Sequence, residues 1–458
     1  MKTDNTRLFR DLPVQKAVLS LAVPTVISQI ITVIYNMADT LFIGQLNDPN
    51  QVAAATVCMP AFVVMTALAN LFGIGGAGKI SRALGVDDRK TARACAAFCF
   101  WGAAAVALVY GTVLYFARPW VLPLLGADDA TYDYACSYTF WTITLGAMPT
   151  VLSATLAHLV RAEGYAKHAA IGVAFGGILN MLLDPLFIFV FRMEITGAAI
   201  ATMISNIAAL IYFLALLAVK RGQSVVSLKP MRGVLKRGGI TEVLFGGLPS
   251  FLMSLLASFS GSMLNRLTAG YSNEAIAGMG IAKKIDMIAF AVAQGMTQGV
   301  LPLIGYNYAA GNRKRMTRSI LVTLSYALAI ACTAMLALFF FAEPITRAFI
   351  DNDLTVDYGK QFLKVICWIC PSTAINFMII TVFQATNQRI KPMILSFLRK
   401  GRVDVPLMFL LEKRWGFSGI AWGIPIAEWV ALAVALCMFI PYLRKLRLPA
   451  PQPAHEEA

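Results

Sequence analysis

Residues 176–191 read GGILNMLLDPLFIFVF, an apolar run interrupted by Asn180, Asp184 and Pro185. On a helix Asn180 and Asp184 stand four residues apart and share one face. With the apolar residues on either side the run reaches the length of about 20 residues that crosses a bilayer as a helix. A carboxyl at membrane depth costs roughly 2.5–3.5 kcal/mol on insertion scales, so it normally faces protein or water. The stretch therefore predicts a membrane-spanning helix with one polar, inward-facing side.

The rest of the chain has the same character. Its 458 residues are 58% hydrophobic and 14% charged, with a mean hydropathy of +0.68, whereas soluble domains carry about 25% charged residues. This predicts an all-α polytopic membrane protein. Twelve candidate spans follow, at 14–36, 52–75, 92–116, 135–160, 169–191, 195–219, 241–265, 275–301, 318–341, 361–386, 392–411 and 417–443. The eleventh is the weakest, because it contains Arg399, Lys400, Arg402 and Asp404. The charged start, MKTDNTRLFRDLPVQK, precedes a span too long for a signal peptide and is expected to be retained.

Most Lys and Arg residues fall on one side of this arrangement, in the N-terminal segment, 77–93, 161–168, 220–240, 306–318, 387–391 and the C-terminal segment. The other side carries acids such as Asp128, Asp133, Asp351 and Asp357. The positive-inside rule places both termini and the 220–240 loop in the cytoplasm. The net charge of +15 reflects this asymmetry. It is spread over short loops rather than gathered in a patch, which argues against a nucleic-acid partner. No GxxxxGK[ST], HExxH or GxSxG motif occurs, so transport would draw on an ion gradient rather than on ATP bound to this chain. Cys367 and Cys370 sit in the apolar run VICWICPST and read as small buried hydrophobes.

The two halves repeat. Pro24 finds Pro249 225 residues later, Gly85 finds Gly311 after 226, Pro149 finds Pro371 after 222, and Gly197 finds Gly419 after 222. Four pairs in one order at nearly one offset divide the chain into an N-lobe at 1–219 (spans one to six), a linker at 220–240, a C-lobe at 241–445 (spans seven to twelve) and a tail at 446–458. Six spans per half give both halves the same orientation. Such parallel repeats are a transporter plan, with substrate held between the lobes and access alternating as they rock.

Ionisable and polar residues inside the spans mark candidate sites. Asp39 lies one turn after Asn36; Thr202, Ser205 and Asn206 share a turn of span six. If spans one, five and six touch, Asp39, Asn180, Asp184 and Thr202 form one pocket. Two carboxylates in a low-dielectric pocket cannot both stay charged cheaply, which suits a proton carrier; the same oxygens suit Na+, a hard cation. Each also has a structural reading: Asp39 as a helix cap, Asp184 as part of an Asp-Pro irregularity, Thr202 bonded to its own helix. In the second half, Asp286 with Lys283 and Lys284, and Asp404 with Arg399 and Arg402, read as structural ion pairs. Asn36, Met37, Met181, Asn206, Met253, Asp286 and Glu428 are candidates for the lining of a substrate cleft.

The stretches NMADTLFIG (36–44), HLVRAEGYAKHAA (158–170), ILNMLLDPLFIF (178–189), GAAIATMISN (197–206) and LIGYNYAAGN (303–312) together resemble the MATE (multidrug and toxic compound extrusion) transporters over about residues 10 to 445. The resemblance implies twelve helices in two pseudo-symmetric six-helix lobes. It also implies a monomeric, multi-pass antiporter of the bacterial cytoplasmic membrane, surrounded by lipid, that exports organic cations and amphipathic drugs in exchange for H+ or Na+ and needs no other cofactor. Carried over position by position, it places the coupling ion at Asp39, Asn180, Asp184 and Thr202. Spans seven and ten contain no acid, which fits the branch whose coupling residues lie in the N-lobe.

Two other functions remain open at this point. A lipid-linked precursor flippase would share the lobed architecture, but no Arg stripe runs through spans one to six to meet a pyrophosphate. An intramembrane lipid enzyme would need a nucleophile and base at depth. Its one triad-like group, His158 with Arg161 and Glu163, falls at the cytoplasmic end of span four, where charges are ordinary.

Overall fold

The computed structural model describes residues 7–46, 48–230, 237–268, 270–350 and 352–447. Residues 231–236 of the expected linker and all but the first two residues of the expected tail lie outside that set. The membrane helices are α1 (Val14–Gly44), α2 (Pro49–Gly85), α3 (Arg89–Leu125), α4 (Tyr132–Leu145 and Ala147–Ala162, bent by 48°), α5 (Ala166–Val190), α6 (Glu194–Val219), α7 (Arg237–Thr268), α8 (Asn273–Ala309), α9 (Arg313–Phe340), α10 (Asp353–Ile366 and Ile369–Ala385, bent by 43°), α11 (390–415) and α12 (Phe417–Arg447).

Among the described residues nine helices are long and apolar enough to cross a membrane, and the two bent pairs raise this to eleven. The twelfth is α11, and its weakness in the sequence has a structural cause. Its helix is broken at Lys400 (φ −131°, ψ 128°) and Gly401 (φ +93°), the latter in the left-handed region that glycine adopts without strain. The charges that dilute its hydropathy sit at this break, with Arg399 and Asp404 buried inside the C-lobe, Lys400 half-buried and Arg402 exposed. Asp404 closes it, accepting from the Gly401 and Val405 amides and from the Ser260 hydroxyl at 2.5 Å. Among the described residues Asp404 thus satisfies backbone amides and a hydroxyl at the break and is not the ion-pair partner of Arg399 or Arg402 that the spacing suggested. Asp286 makes no ion pair within 4 Å among the described residues either.

The repeat is visible in the packing. Gly197 lies where α6 crosses the end of α5, a Cβ there landing 2.8–3.0 Å from Phe187, and Gly419 lies where α12 crosses α11 at the Leu411 carbonyl. Spans one, five and six do touch, α1 packing along α5 and α5 along α6. The eight described cysteines are free; Cys367 and Cys370 are buried, as expected of small hydrophobes.

The lobes meet along α2 with α7 and α1 with α8, and all of this tight packing is toward one face. A Cβ on Gly247 would run into the Leu71 carbonyl, one on Gly75 into the Val243 carbonyl, and one on Gly295 into the Val26 backbone at 2.7 Å. The same face, rich in basic residues and called here the basic face, is latched by polar groups. Lys79 Nζ lies 2.6 Å and Arg82 3.6 Å from Glu242 Oε2. Arg82 also donates across the lobes to the Gln384 and Ala385 carbonyls at 3.2 and 3.1 Å. Arg315 donates to the carbonyls of Phe9 and Leu12, tying the segment before α1 to the C-lobe.

Because backbone meets backbone at Gly247, Gly247→Leu is expected to force the lobes apart at the basic face. It should lower the thermal unfolding midpoint of the purified protein and abolish transport in liposomes, since overpacking even a side-chain core costs about 1–3 kcal/mol. Gly280→Ala, where a Cβ meets nothing within 4 Å, should leave both unchanged.

Candidate functional site

The pocket begins with the shape of α5. Gly172 and Gly177 let it approach its neighbours, the first against Phe213 and the second 2.8 Å from the Tyr35 ring. Pro185 follows Asp184, and beyond it Leu186–Val190 winds as a π-helix. Single turns of this kind often mark functional positions in membrane and soluble helices. The result aims Asn180 and Asp184 at α1 and α6; both are buried, Asp184 completely.

Asn180 Nδ2 donates to Asp184 Oδ1 at 3.0 Å and to Thr202 Oγ1 at 3.3 Å. Asp39 lies on α1, which packs along α5. Three oxygens of this group, Asp39 Oδ1, Asn180 Oδ1 and Asp184 Oδ2, are buried with no hydrogen-bond partner among the described residues. A buried oxygen without a donor is costly, and three of them in one pocket are three acceptors facing a site that a proton or a hard cation can fill. The Thr202 hydroxyl adds a fourth oxygen.

Next to this pocket a cavity of about 500 Å³ lies between the lobes, within the range that holds a drug-sized molecule. Of the residues the sequence proposed, Asn36, Asn180, Thr202, Asn206 and Met253 line it. Asp39 and Asp184 do not, and lie behind the wall that Asn180 and Thr202 form. Met37 and Met181 are not in the lining. Asp286 faces a separate, largely apolar pocket of about 300 Å³ between α8, α9 and α10.

Glu428 is not in the lining either. It is fully buried against Arg399, whose Nε and Nη2 reach its carboxylate at 3.0 and 3.3 Å. Asn376 donates to the same carboxylate at 3.2 Å, Lys400 Nζ stands 3.5 Å away, and the Arg399 guanidinium lies over the Phe377 ring at 4.5 Å. Glu428 is 222 residues beyond Asn206, the offset of the Gly197–Gly419 pair.

Some of the lining was missed by sequence reasoning. Gln29 bonds Gln294 at 3.1 Å and Asn70 approaches Ser254 at 3.3 Å, both across the lobes. Arg161 and His158 line the cavity, Arg161 buried and His158 half-buried, so the charge at the end of span four is not an ordinary interfacial one. The motif HLVRAEG was the available signal, but hydropathy closed the span at residue 160. Among the described residues no group of three His, Cys, Asp or Glu is placed to hold a metal ion.

The MatE family model matches residues 24–186 and 249–410, once in each half. The chain belongs to the MATE family. Among similar proteins are the multidrug export protein MepA of Staphylococcus aureus (strain N315), 31% identical over 98% of both chains, and the MepA protein of Staphylococcus saprophyticus, also 31% identical over 98% of each. A solved structure described as the outward-facing conformation of a multidrug resistance MATE family transporter superposes with a TM-score of 0.89. It covers 98% of this chain and 99% of the other at 24% identity, which supports the twelve-helix, two-lobed fold. As a MATE protein this chain is a multi-pass membrane transporter and not an enzyme.

Proposed function

We propose that this MATE transporter is a multidrug efflux antiporter of the bacterial cytoplasmic membrane, exporting amphipathic and cationic drugs in exchange for H+, with Na+ as the alternative coupling ion. The observation that carries the reading is the set of unpartnered buried oxygens of Asp39, Asn180 and Asp184 directly behind a drug-sized cleft. The name of the MepA relatives supports drugs as the cargo.

With the basic face as the cytoplasmic one, the Gly75–Gly247 crossing and the Arg82–Glu242 latch hold the inner side shut. A proton or Na+ entering the pocket from outside satisfies the stranded oxygens and changes how α1 packs on α5, since Asp39 is on α1 and Asp184 on α5. Drug then leaves the cleft, the lobes rock, the ion departs to the cytoplasm and a new drug binds. The lining holds no carboxylate, so the charge of a cationic drug would be met by ring faces and amide oxygens, such as Tyr35, Phe290 and Asn36. Each charge moving inward supplies about 2.3 kcal/mol per 100 mV, and the twelve helices of one chain suffice for the cycle, so we take the working unit to be a monomer.

The test is ethidium efflux from proteoliposomes with a pH gradient and a Na+ gradient imposed separately. Uphill movement driven by the pH gradient alone is expected. Movement with Na+ alone would transfer the coupling role to Na+ at the same pocket, and no response to either gradient would overturn the antiport reading.

A further inference from the structure

We infer that the floor of the cleft is a subsite for a negatively charged group, a carboxylate or a phosphate, carried by an amphipathic substrate and held by Arg161. The inference rests on reading the cleft as the substrate site.

The polarity of the lining points this way. Asp39, Asp184, Asp286 and Glu428 all lie outside it, and its full-charge side chains are Arg161 and Lys400. These two cations are not equivalent. Lys400 shares Glu428 with Arg399, so its charge is already answered. Arg161 has no acid within 4 Å among the described residues. Its Nη1 meets His158 Nδ1 at 3.2 Å, and its Nε is buried with no partner.

The nearest acid in the sequence is committed elsewhere. Glu163 accepts from the Ser224 hydroxyl at 2.6 Å and from the Val225 amide at 2.7 Å, which anchors the loop after α6. Arg161 is therefore a guanidinium only 6% exposed, without a counter-charge, at the end of the cleft nearest the basic face. A buried charge left unpaired is strongly unfavourable. Arginine's planar fork fits a carboxylate or phosphate through two parallel hydrogen bonds. A ligand anion would complete it, while Gln298 beside it offers an amide and the aromatic walls of Phe62, Phe213 and Phe290 take the apolar body. The substrate class this selects is zwitterionic or anionic amphipaths, in addition to simple cations.

The probe is a pair of dyes with one chromophore: a rhodamine bearing a free benzoate, and its methyl ester. Binding of each to the full-length purified protein in neutral detergent is followed by fluorescence anisotropy. The free acid is expected to bind wild type at least about tenfold more tightly than the ester, the scale of a charge-assisted pair. Arg161→Gln should erase the preference and Arg161→Lys keep part of it. The comparison of the two dyes on wild type stands whether or not the variants fold. Equal binding of acid and ester would overturn the subsite while leaving ethidium efflux, and with it the antiport reading, intact. Failure of both dyes to bind, together with failure of ethidium efflux, would overturn the reading of the cleft itself. A titration with phosphatidylglycerol against phosphatidylcholine then separates the sources of the anion. Displacement of the free acid by the anionic lipid alone assigns the subsite to a headgroup phosphate, and no displacement assigns it to a soluble amphipath.

Discussion

Glu428→Gln should destabilise the protein by about 3–5 kcal/mol, the cost of breaking a buried ion pair by removing one partner. Gln keeps the volume and one acceptor of Glu but removes the charge, and the Arg399 guanidinium, 1% exposed and held at 3.0 and 3.3 Å, would keep one neutral acceptor, the Phe377 ring and a thioether contact to Met253 at 3.7 Å but no counter-charge. Lys400 loses its partner too, but its side chain is 18% exposed and lines the cleft, so water can answer its charge. A thermal unfolding midpoint of the purified protein reports the change. The double replacement Arg399→Met with Glu428→Leu should recover most of the loss, because well-packed apolar residues commonly replace a buried pair without net cost. If Glu428→Gln unfolds at the wild-type temperature, Glu428 is not the anchor of this lobe.

Under the proposed mechanism that pair also gives the two lobes different work. The repeat offset sets Glu428 opposite Asn206, so equivalent regions of the two halves hold polar groups. In the C-lobe the cation is part of the chain: Arg399 sits permanently on Glu428. In the N-lobe the corresponding Asn206 is a neutral amide that donates to the Thr202 carbonyl, and among the described residues Asp39 Oδ1, Asn180 Oδ1 and Asp184 Oδ2 nearby have no hydrogen-bond partner. A group that always holds its counter-charge cannot exchange one, so under the proposed mechanism exchange falls to Asp39 and Asp184.

Much of the fold was legible because the bilayer imposes a strong pattern. Long apolar runs set the helices, and Pro24 with Pro249 and Gly197 with Gly419 revealed the repeat. Asp39, Asp184 and Thr202 stood out as polar groups at depth, but that α1, α5 and α6 touch was only a condition in the sequence and is supplied by the packing. What failed were positions where charge and irregular backbone enter the lobe together. The break at Lys400 and Gly401 looked like a poor span because hydropathy treats buried charge as exposed. Asp404 looked like an ion-pair partner because spacing along a helix says nothing once that helix is broken. Arg161 was assigned to the membrane surface because a cation near a span end usually lies there, and only packing shows it turned into the cleft. The cleft membership of Met37, Met181, Asp286 and Glu428 depended on helix rotation, which one chain without periodic polar faces does not fix.

Asp184→Asn is expected to abolish ion-driven uphill efflux of ethidium while leaving folded protein in the membrane. The amide is nearly isosteric with the carboxylate and can still accept from Asn180 Nδ2, so the Asn180 bonds to residue 184 at 3.0 Å and to Thr202 at 3.3 Å need not be lost and the structural cost should be small. What disappears is the ability to gain and lose a charge. Under the proposed mechanism the steady-state ethidium gradient should fall more than tenfold, about 1.4 kcal/mol in the work stored, whereas downhill exchange that needs no coupling continues. Asp39→Asn should do the same from α1, because the proposed mechanism needs both carboxylates to hold the exchanging ion. Removing either ends the coupling rather than halving it. Thr202→Ala, which deletes one neutral hydrogen bond worth about 0.5–1.5 kcal/mol, should weaken efflux by tenfold or less. The pattern across the three variants separates a coupling site from a packing cluster. If the pocket only holds α1, α5 and α6 together, Thr202→Ala and Asp184→Asn will change thermal stability and leave the ethidium gradient at its wild-type height. An Asp184→Asn protein that still concentrates ethidium against its gradient would remove the pocket from the coupling mechanism altogether.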